Sequence, residues 1–199
     1  QDPTGTDLDY AARINGYGAV GATEEFNYVT RAFVPAKSNT LNTARFQHTA
    51  TLLRDGRVLL AGGSNNYVSE LTGELYDGSS WTDMDPLGNP LIMTYGRAGH
   101  KALLLPTGKV MITGGETAGA AQSVAESFDP DFPNWSSQGT ATNRAHHTSL
   151  LTKDNYILNI GGWDGSQYLD TTDISDFSFT PDMEGLSAEV QRQPIISTG

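Results

Sequence analysis

The chain has 199 residues and a formal net charge of -11, from 12 Lys and Arg against 23 Asp and Glu. That length can bury a core of its own, and the acidity excludes a nucleic-acid backbone or an anionic membrane as the main partner while favouring solubility. There is no cysteine, which rules out disulfides, a thiol nucleophile and Cys-ligated metals.

No apolar run approaches the ~18 residues that would span a membrane. The opening Gln1-Asp2-Pro3 is not a signal peptide, and a start without Met is expected of a processed or trimmed chain, compatible with secretion. Residues 1–11 are polar and Asp-rich and read as a loop or leader. Residues 12–18 read as the second strand of a recurring unit, with Gly16-Tyr17 at the place of a diglycine. Phe26–Val29 and Arg31–Val34 follow as its third and fourth strands, and residues 35–43 as a connector. Short β-rich runs between Gly, Asn and Asp are strand and hairpin signals.

The unit then appears complete. Arg45-Phe46-Gln47-His48 precedes an apolar run, Asp55-Gly56 makes a turn, and a second run ends in Gly62-Gly63. A polar loop leads to a third strand at Glu74–Asp77 and a fourth at Ser80–Thr82. The second copy has Arg97-Ala98-Gly99-His100, Thr107-Gly108 and Gly114-Gly115, then strands at Glu126–Asp129 and Asn134–Ser136. The third has Arg144-Ala145-His146-His147, Asp154-Asn155 and Gly161-Gly162, then strands at Thr172–Ser175 and Phe177–Phe179. The turn pairs are residues that tolerate positive φ. A tail at residues 190–199, containing Arg192, resembles only a unit's first strand, whereas the head begins where its second should start.

The intervals between equivalent glycines are 46, 52 and 47 residues, and joining tail to head adds one of 54. Self-similarity at such a period decides the architecture. Arg-x-x-His before the first strand, the diglycine after the second and the spaced Tyr/Phe and Trp resemble the kelch repeat, in the variant of galactose-oxidase-like central domains. The resemblance covers about residues 12–199. It implies an all-β, kelch-type β-propeller with about four blades of four antiparallel strands, one split between the termini. The blades would comprise residues 12–43 plus 190–199, 44–90, 91–142 and 143–189. Kelch propellers typically have six or seven blades. Four leave three arrangements open: a compact ring, a slice of a larger one, or a terminal strand completing a neighbour's blade.

Several residues are candidates for chemistry. Arg45, Arg97, Arg144 and Arg192, with His100, are either framework, tying blades through carbonyls or acids, or a ring of donors for a carboxylate, sulfate or sugar. His146, next to His147, should point to the opposite face and is the more idiosyncratic of the pair. Trp81 and Trp135 are expected to pack between blades. Trp163 follows a diglycine directly and opens the loop to Tyr168, either folded onto its own blade or covering the apolar face of a pyranose. Asn65 and Tyr67, and Glu116-Thr117, occupy equivalent loops, so one rim could present all three.

Acidic clusters at Asp83/Asp85, Asp129/Asp131 and Asp164/Asp170/Asp173 do not match an EF-hand loop, so no cofactor is expected, with calcium as a lesser option. The copper site of galactose oxidases needs a tyrosine cross-linked to cysteine, which this chain cannot form. No hydrolase or phosphate-binding motif is present. The expected function is a non-catalytic extracellular or cell-surface module that binds glycan or protein through its loops. A self-assembling subunit (dimer or filament) and part of a kelch-type carbohydrate-active enzyme are the alternatives. Neither nucleic acid nor membrane insertion is expected.

Overall fold

The computed structural model describes residues 19–176, apart from 28, 66 and 67. Every regular element among them is a strand, and every pairing is antiparallel. In chain order these are β1 (Val20–Asn27), β2 (Ala32–Arg45), β3 (Thr49–Leu52), β4 (Val58–Ala61), β5 (Ser64–Asn65), β6 (Val68–Ser69), β7 (Gly73–Tyr76) and β8 (Trp81–Thr82). They continue as β9 (Lys101–Leu104), β10 (Val110–Thr113), β11 (Glu116–Thr117), β12 (Ala120–Ala121), β13 (Val124–Asp129), β14 (Asn134–Thr140), β15 (Thr148–Leu151), β16 (Tyr156–Ile160) and β17 (Thr172–Asp176).

Three sheets repeat one plan. The first is ordered β3-β4-β7-β8, the second β9-β10-β13-β14 in the same sense, and the third β15-β16-β17. The fourth strand expected at Phe177–Phe179 lies outside the described residues, as do the strand at 12–18 and the tail at 190–199. The inner hairpins turn where predicted, through Gly56, Gly108 and Asn155 at φ of 89°, 91° and 66°. Each turn is closed the same way. Leu53 N–H donates to Arg57 O, Leu105 N–H to Lys109 O and Thr152 N–H to Tyr156 O, all at 2.8 Å.

Two features depart from expectation. The connector over 35–43 is instead strand, because β2 runs from Ala32 to Arg45 and pairs with β1 through two register shifts. Bulges let one long strand follow another despite the polar, Pro-containing sequence. The loops after the diglycines also carry structure of their own, as the small ribbons β5–β6 and β11–β12.

The core lies between successive sheets rather than inside any one. Leu59 and Leu75 of the first sheet pack with Val110 and Phe128 of the second, joined by Leu53, Leu91 and Trp135. Met111 and Ala125 of the second pack with Ile157 of the third. The central strand β10 is therefore buried at all four positions, against the exposed-buried alternation of β16. A strand covered on both faces reads as a continuous apolar run. Trp135 packs at the first interface as expected, tilted on Phe128 with ring centroids 5.1 Å apart, whereas Trp81 stacks on Tyr76 of its own sheet.

The diglycines set how closely the sheets approach. A Cβ on Gly62 would stand 2.5 Å from Arg97 O, and one on Gly114 would stand 2.3 Å from Arg144 O and 2.6 Å from the His147 ring. Gly63 and Gly115 then donate their N–H to those same carbonyls, at 2.9 and 2.8 Å. The first glycine of these two pairs thus faces the following sheet. Its partner faces its own, where a Cβ on Gly115 would meet Ala98 O at 3.0 Å.

Gly114→Ala combines this clash with a φ of 61°, so it is expected to cost more than 3 kcal/mol, on the order of the strain and overpacking penalties together. Gly56→Ala, at positive φ but with open space around it, should cost only about 1 kcal/mol. Urea melts of the two variants giving equal losses would overturn the close-approach argument.

Candidate functional site

The repeated arginines come first, because they hold the strand ends that carry the loops. Arg45 Nη1 donates to Gly62 O and Thr72 O, both at 2.9 Å, and Nη2 donates to Glu74 Oε1 at 2.8 Å. Arg97 repeats this with Gly114 O at 2.9 Å, Val124 O at 2.7 Å and Glu126 Oε2 at 2.5 Å. Arg144 donates to Gly161 O at 2.6 Å and pairs with Asp173 at 2.9 Å. Each acid also accepts a backbone N–H from just before its arginine: Asn42 and Thr43 on Glu74, Thr94 on Glu126, Thr142 on Asp173.

The first two ion pairs have no exposed side-chain surface, and Arg144 is 1% exposed. Arg45, Arg97 and Arg144 therefore have no surface from which to reach a ligand, and their geometry is that of framework, although each clamps strands of its own sheet rather than tying one blade to the next as expected. Arg192 lies outside the described residues.

The histidines join neighbouring sheets. His100 Nε2 lies 2.8 Å from Thr49 Oγ1 of the first sheet, and His147 Nε2 lies 3.1 Å from Thr113 Oγ1 of the second. Thr113 continues to Ser149 and Asn159, forming a polar network between sheets. Burial, then the charge of Arg97, pushes His100 down to about 3. Burial, then Arg144, pushes His147 down to about 4. Both rings are buried, so His100 is no more available to a ligand than Arg97.

His146 behaves differently. Gln47, Gly99 and His146 are equivalent positions, all with φ between 54° and 63°. Gly99 N–H donates to Gln47 O at 3.1 Å, and His146 N–H donates to Gly99 O at 2.8 Å, so one backbone ladder crosses all three sheets. The His146 ring lies over Gly99, where a Cβ would come within 2.5 Å of it. A non-glycine residue held at positive φ is a strained choice and a pointer to function.

The ring faces outward, 44% exposed, with Nε2 3.4 Å from Glu116 Oε1. Beside it is an open pocket of about 580 Å³ lined by His146, Gly162, Trp163, Tyr168 and Leu169. Trp163 is half-buried and held by Ala145, the two exchanging N–H···O bonds at 2.8 and 2.9 Å. Ser64 pairs with Phe46, and Glu116 with Ala98, in the same manner, so Ser64, Glu116 and Trp163 are equivalent. Tyr168 faces Trp163 across the loop and is 91% exposed.

That loop is pre-shaped by Asp164, whose Oδ1 accepts from Gln167 N–H at 2.9 Å and from the Ser166 N–H and hydroxyl at 2.7 Å. These bonds, Gln167 N–H first, hold the carboxyl down to about 2. The post-diglycine segments also touch: Ser69 Oγ donates to Glu116 O at 2.9 Å, and Gly165 approaches Ala121. The expected common rim is thus present across β6, β11–β12 and the 163–168 loop. Asn65 sits in β5 of that rim, whereas Tyr67 lies outside the described residues.

The acidic clusters serve turns and pairs. Asp85 and Asp129 cap backbone N–H groups in their own turns, and Asp173 pairs with Arg144. Among the described residues no group of three or more His, Asp or Glu side chains could hold a metal ion. The sequence points to carbonyls or acids as the arginines' partners without singling out which acids. A constant offset of 29 residues from Arg45, Arg97 and Arg144 to Glu74, Glu126 and Asp173 was the available signal. Comparison with protein-family models and with curated proteins finds no match.

Two outcomes test this framework. Glu126→Gln should cost about 3–5 kcal/mol by leaving the Arg97 charge buried and unpaired; a loss under 1 kcal/mol would refute the clamp. The histidine pKa values in the folded chain lie below the ordinary 6.5. Above that pH both states carry neutral rings, and as pH falls from about 6.5 towards 3 the unfolded chain binds protons that the folded chain cannot. Stability should therefore decline from pH 7 to pH 5, and His100→Asn should flatten that decline.

Proposed function

We propose that this chain is a run of kelch-type β-propeller units that acts as a non-catalytic binding module, taking a glycan at the pocket between His146 and Tyr168. The kelch assignment is supported by the repeated arginine clamps, the diglycine contacts between sheets and the four-strand plan. The glycan reading rests on one observation: Trp163 and Tyr168 present aromatic surface beside the His146–Glu116 pair on a loop already shaped by Asp164.

An indole or phenol face covers the apolar C–H face of a pyranose. His146 and Glu116 supply the donor and acceptor that sugar hydroxyls require. A pre-shaped loop lowers the ordering cost of binding. An extracellular or cell-surface setting belongs to the proposal and rests on the resemblance alone.

A second reading, self-assembly, has its own observation. Gly62 and Gly114 are covered by the next sheet, but among the described residues a Cβ on Gly161 would approach only Leu169 O, at 3.4 Å. Gly162 N–H has no equivalent of the Arg97 and Arg144 carbonyls among the described residues. Ile160 and Ile174 of this third sheet are 40% and 53% exposed. The first-strand-like tail with Arg192, from this chain or a neighbouring copy, has the pattern to fill that place.

Trp163→Ala should reduce retention on a glycan array at least tenfold, about 1.4 kcal/mol, without lowering the melting temperature. If the wild-type chain retains no glycan, the binding reading is refuted; sugar turnover lost in His146→Ala would replace it with an enzyme. Native mass spectrometry of the full chain and of one lacking 190–199 separates the second reading. Multiples of 21.3 kDa that vanish on deletion support strand exchange, and a monomer unaffected by deletion refutes it.

A further inference from the structure

The outer side of the second sheet carries a groove that the glycan reading does not use. It is open, about 600 Å³, and runs between the 85–92 loop and the 131–135 turn. Leu87 of the loop and Phe132 of the turn are 87% and 74% exposed, and Ile92 and the half-buried Trp135 share the lining with them. Single exposed apolar residues are ordinary, but bulky ones converging on one concavity mark an interaction site.

Both walls are held in shape. Asp85 Oδ1 accepts Leu87 N–H at 2.8 Å and Asn89 N–H at 2.7 Å, and Oδ2 accepts the Asn89 amide at 2.9 Å. Opposite, Asp129 Oδ1 accepts the N–H groups of Asp131 and Phe132, at 3.0 and 3.4 Å. The apolar side chains are thus displayed from closed turns, with little left to order on binding.

Among the described residues the rim carries one sign of charge. Asp85 and Asp131 both line the groove. The cations that touch these turns are already paired: Lys109 with Asp129 at 3.1 Å, and Arg57, which donates to Pro130 O, with Asp55 at 2.6 Å. A second copy would bring the same acidic rim and a charge of -11. Complementarity therefore selects a basic partner.

We propose that this groove docks a short peptide segment of another protein, with bulky apolar side chains seated between Leu87 and Phe132 and flanking Lys or Arg reaching Asp85 and Asp131. The site is separate from the His146 pocket and does not depend on the glycan reading.

The test uses the full chain and fluorescent dodecamers with a central Leu/Trp core and varied flanks. Basic-flanked peptides should bind at least tenfold more tightly than acid-flanked ones, about 1.4 kcal/mol, and weaken in high salt. Leu87→Ser with Phe132→Ser should abolish binding without changing the melting temperature. Asp131→Lys should weaken basic-flanked peptides alone. Equal binding whatever the flanks, or binding that survives the double substitution, overturns the proposal. A dimer in sedimentation that the double substitution dissolves would also overturn it, since a second copy would then fill the groove.

Discussion

The buried arginine clamp is the interaction on which the rest depends. One guanidinium grips the carbonyl that ends the second strand, a carbonyl on the way into the third and a carboxylate within it. A charge taken out of water is costly unless its hydrogen bonds are met, and here the planar fork of arginine has an acceptor on both terminal nitrogens. Lysine, a single point charge, has no such fork. The clamp orients the diglycine. The diglycine in turn lets the next sheet approach until backbone meets backbone, and the imidazole of that sheet fills the remaining space.

Much of this order was legible in the chain. The apolar runs, turn residues and diglycines gave the three sheets, because each reflects a local rule: alternation, positive φ, missing Cβ. Glu74, Glu126 and Asp173 were harder to see, since an acid near a strand looks like any solvated acid until its arginine is known. The strand over 35–43 was missed because Pro35, Lys37, Ser38 and Asn39 lack the apolar pattern of a strand, and pairing with β1 overrides local preference. The common rim was anticipated from register. The cover that Gly99 leaves for the His146 ring was not, since a missing side chain says nothing about which neighbour will use the space.

The two candidate surfaces differ in how they are built. The His146 pocket sits on loops that follow the diglycines, held by a backbone ladder, and combines aromatic faces with a donor and an acceptor. The outer groove lies between turns on the far strands of two sheets and combines apolar bulk, aliphatic and aromatic, with a one-signed rim. Polar, shallow recognition suits the first; desolvation with charge steering suits the second. One scaffold can carry both because the buried arginine clamps line neither surface.

The ladder through Gln47, Gly99 and His146 has an implication for how such a chain diversifies. Its hydrogen bonds are made by backbone atoms alone, yet each rung sits at positive φ, where glycine is at ease and any other residue is strained. An amide, a hydrogen and an imidazole already occupy the three rungs. New chemistry written along this rim therefore carries a cost: each side chain on a rung bears the strain of positive φ, and one placed at Gly99 would have to displace the His146 ring.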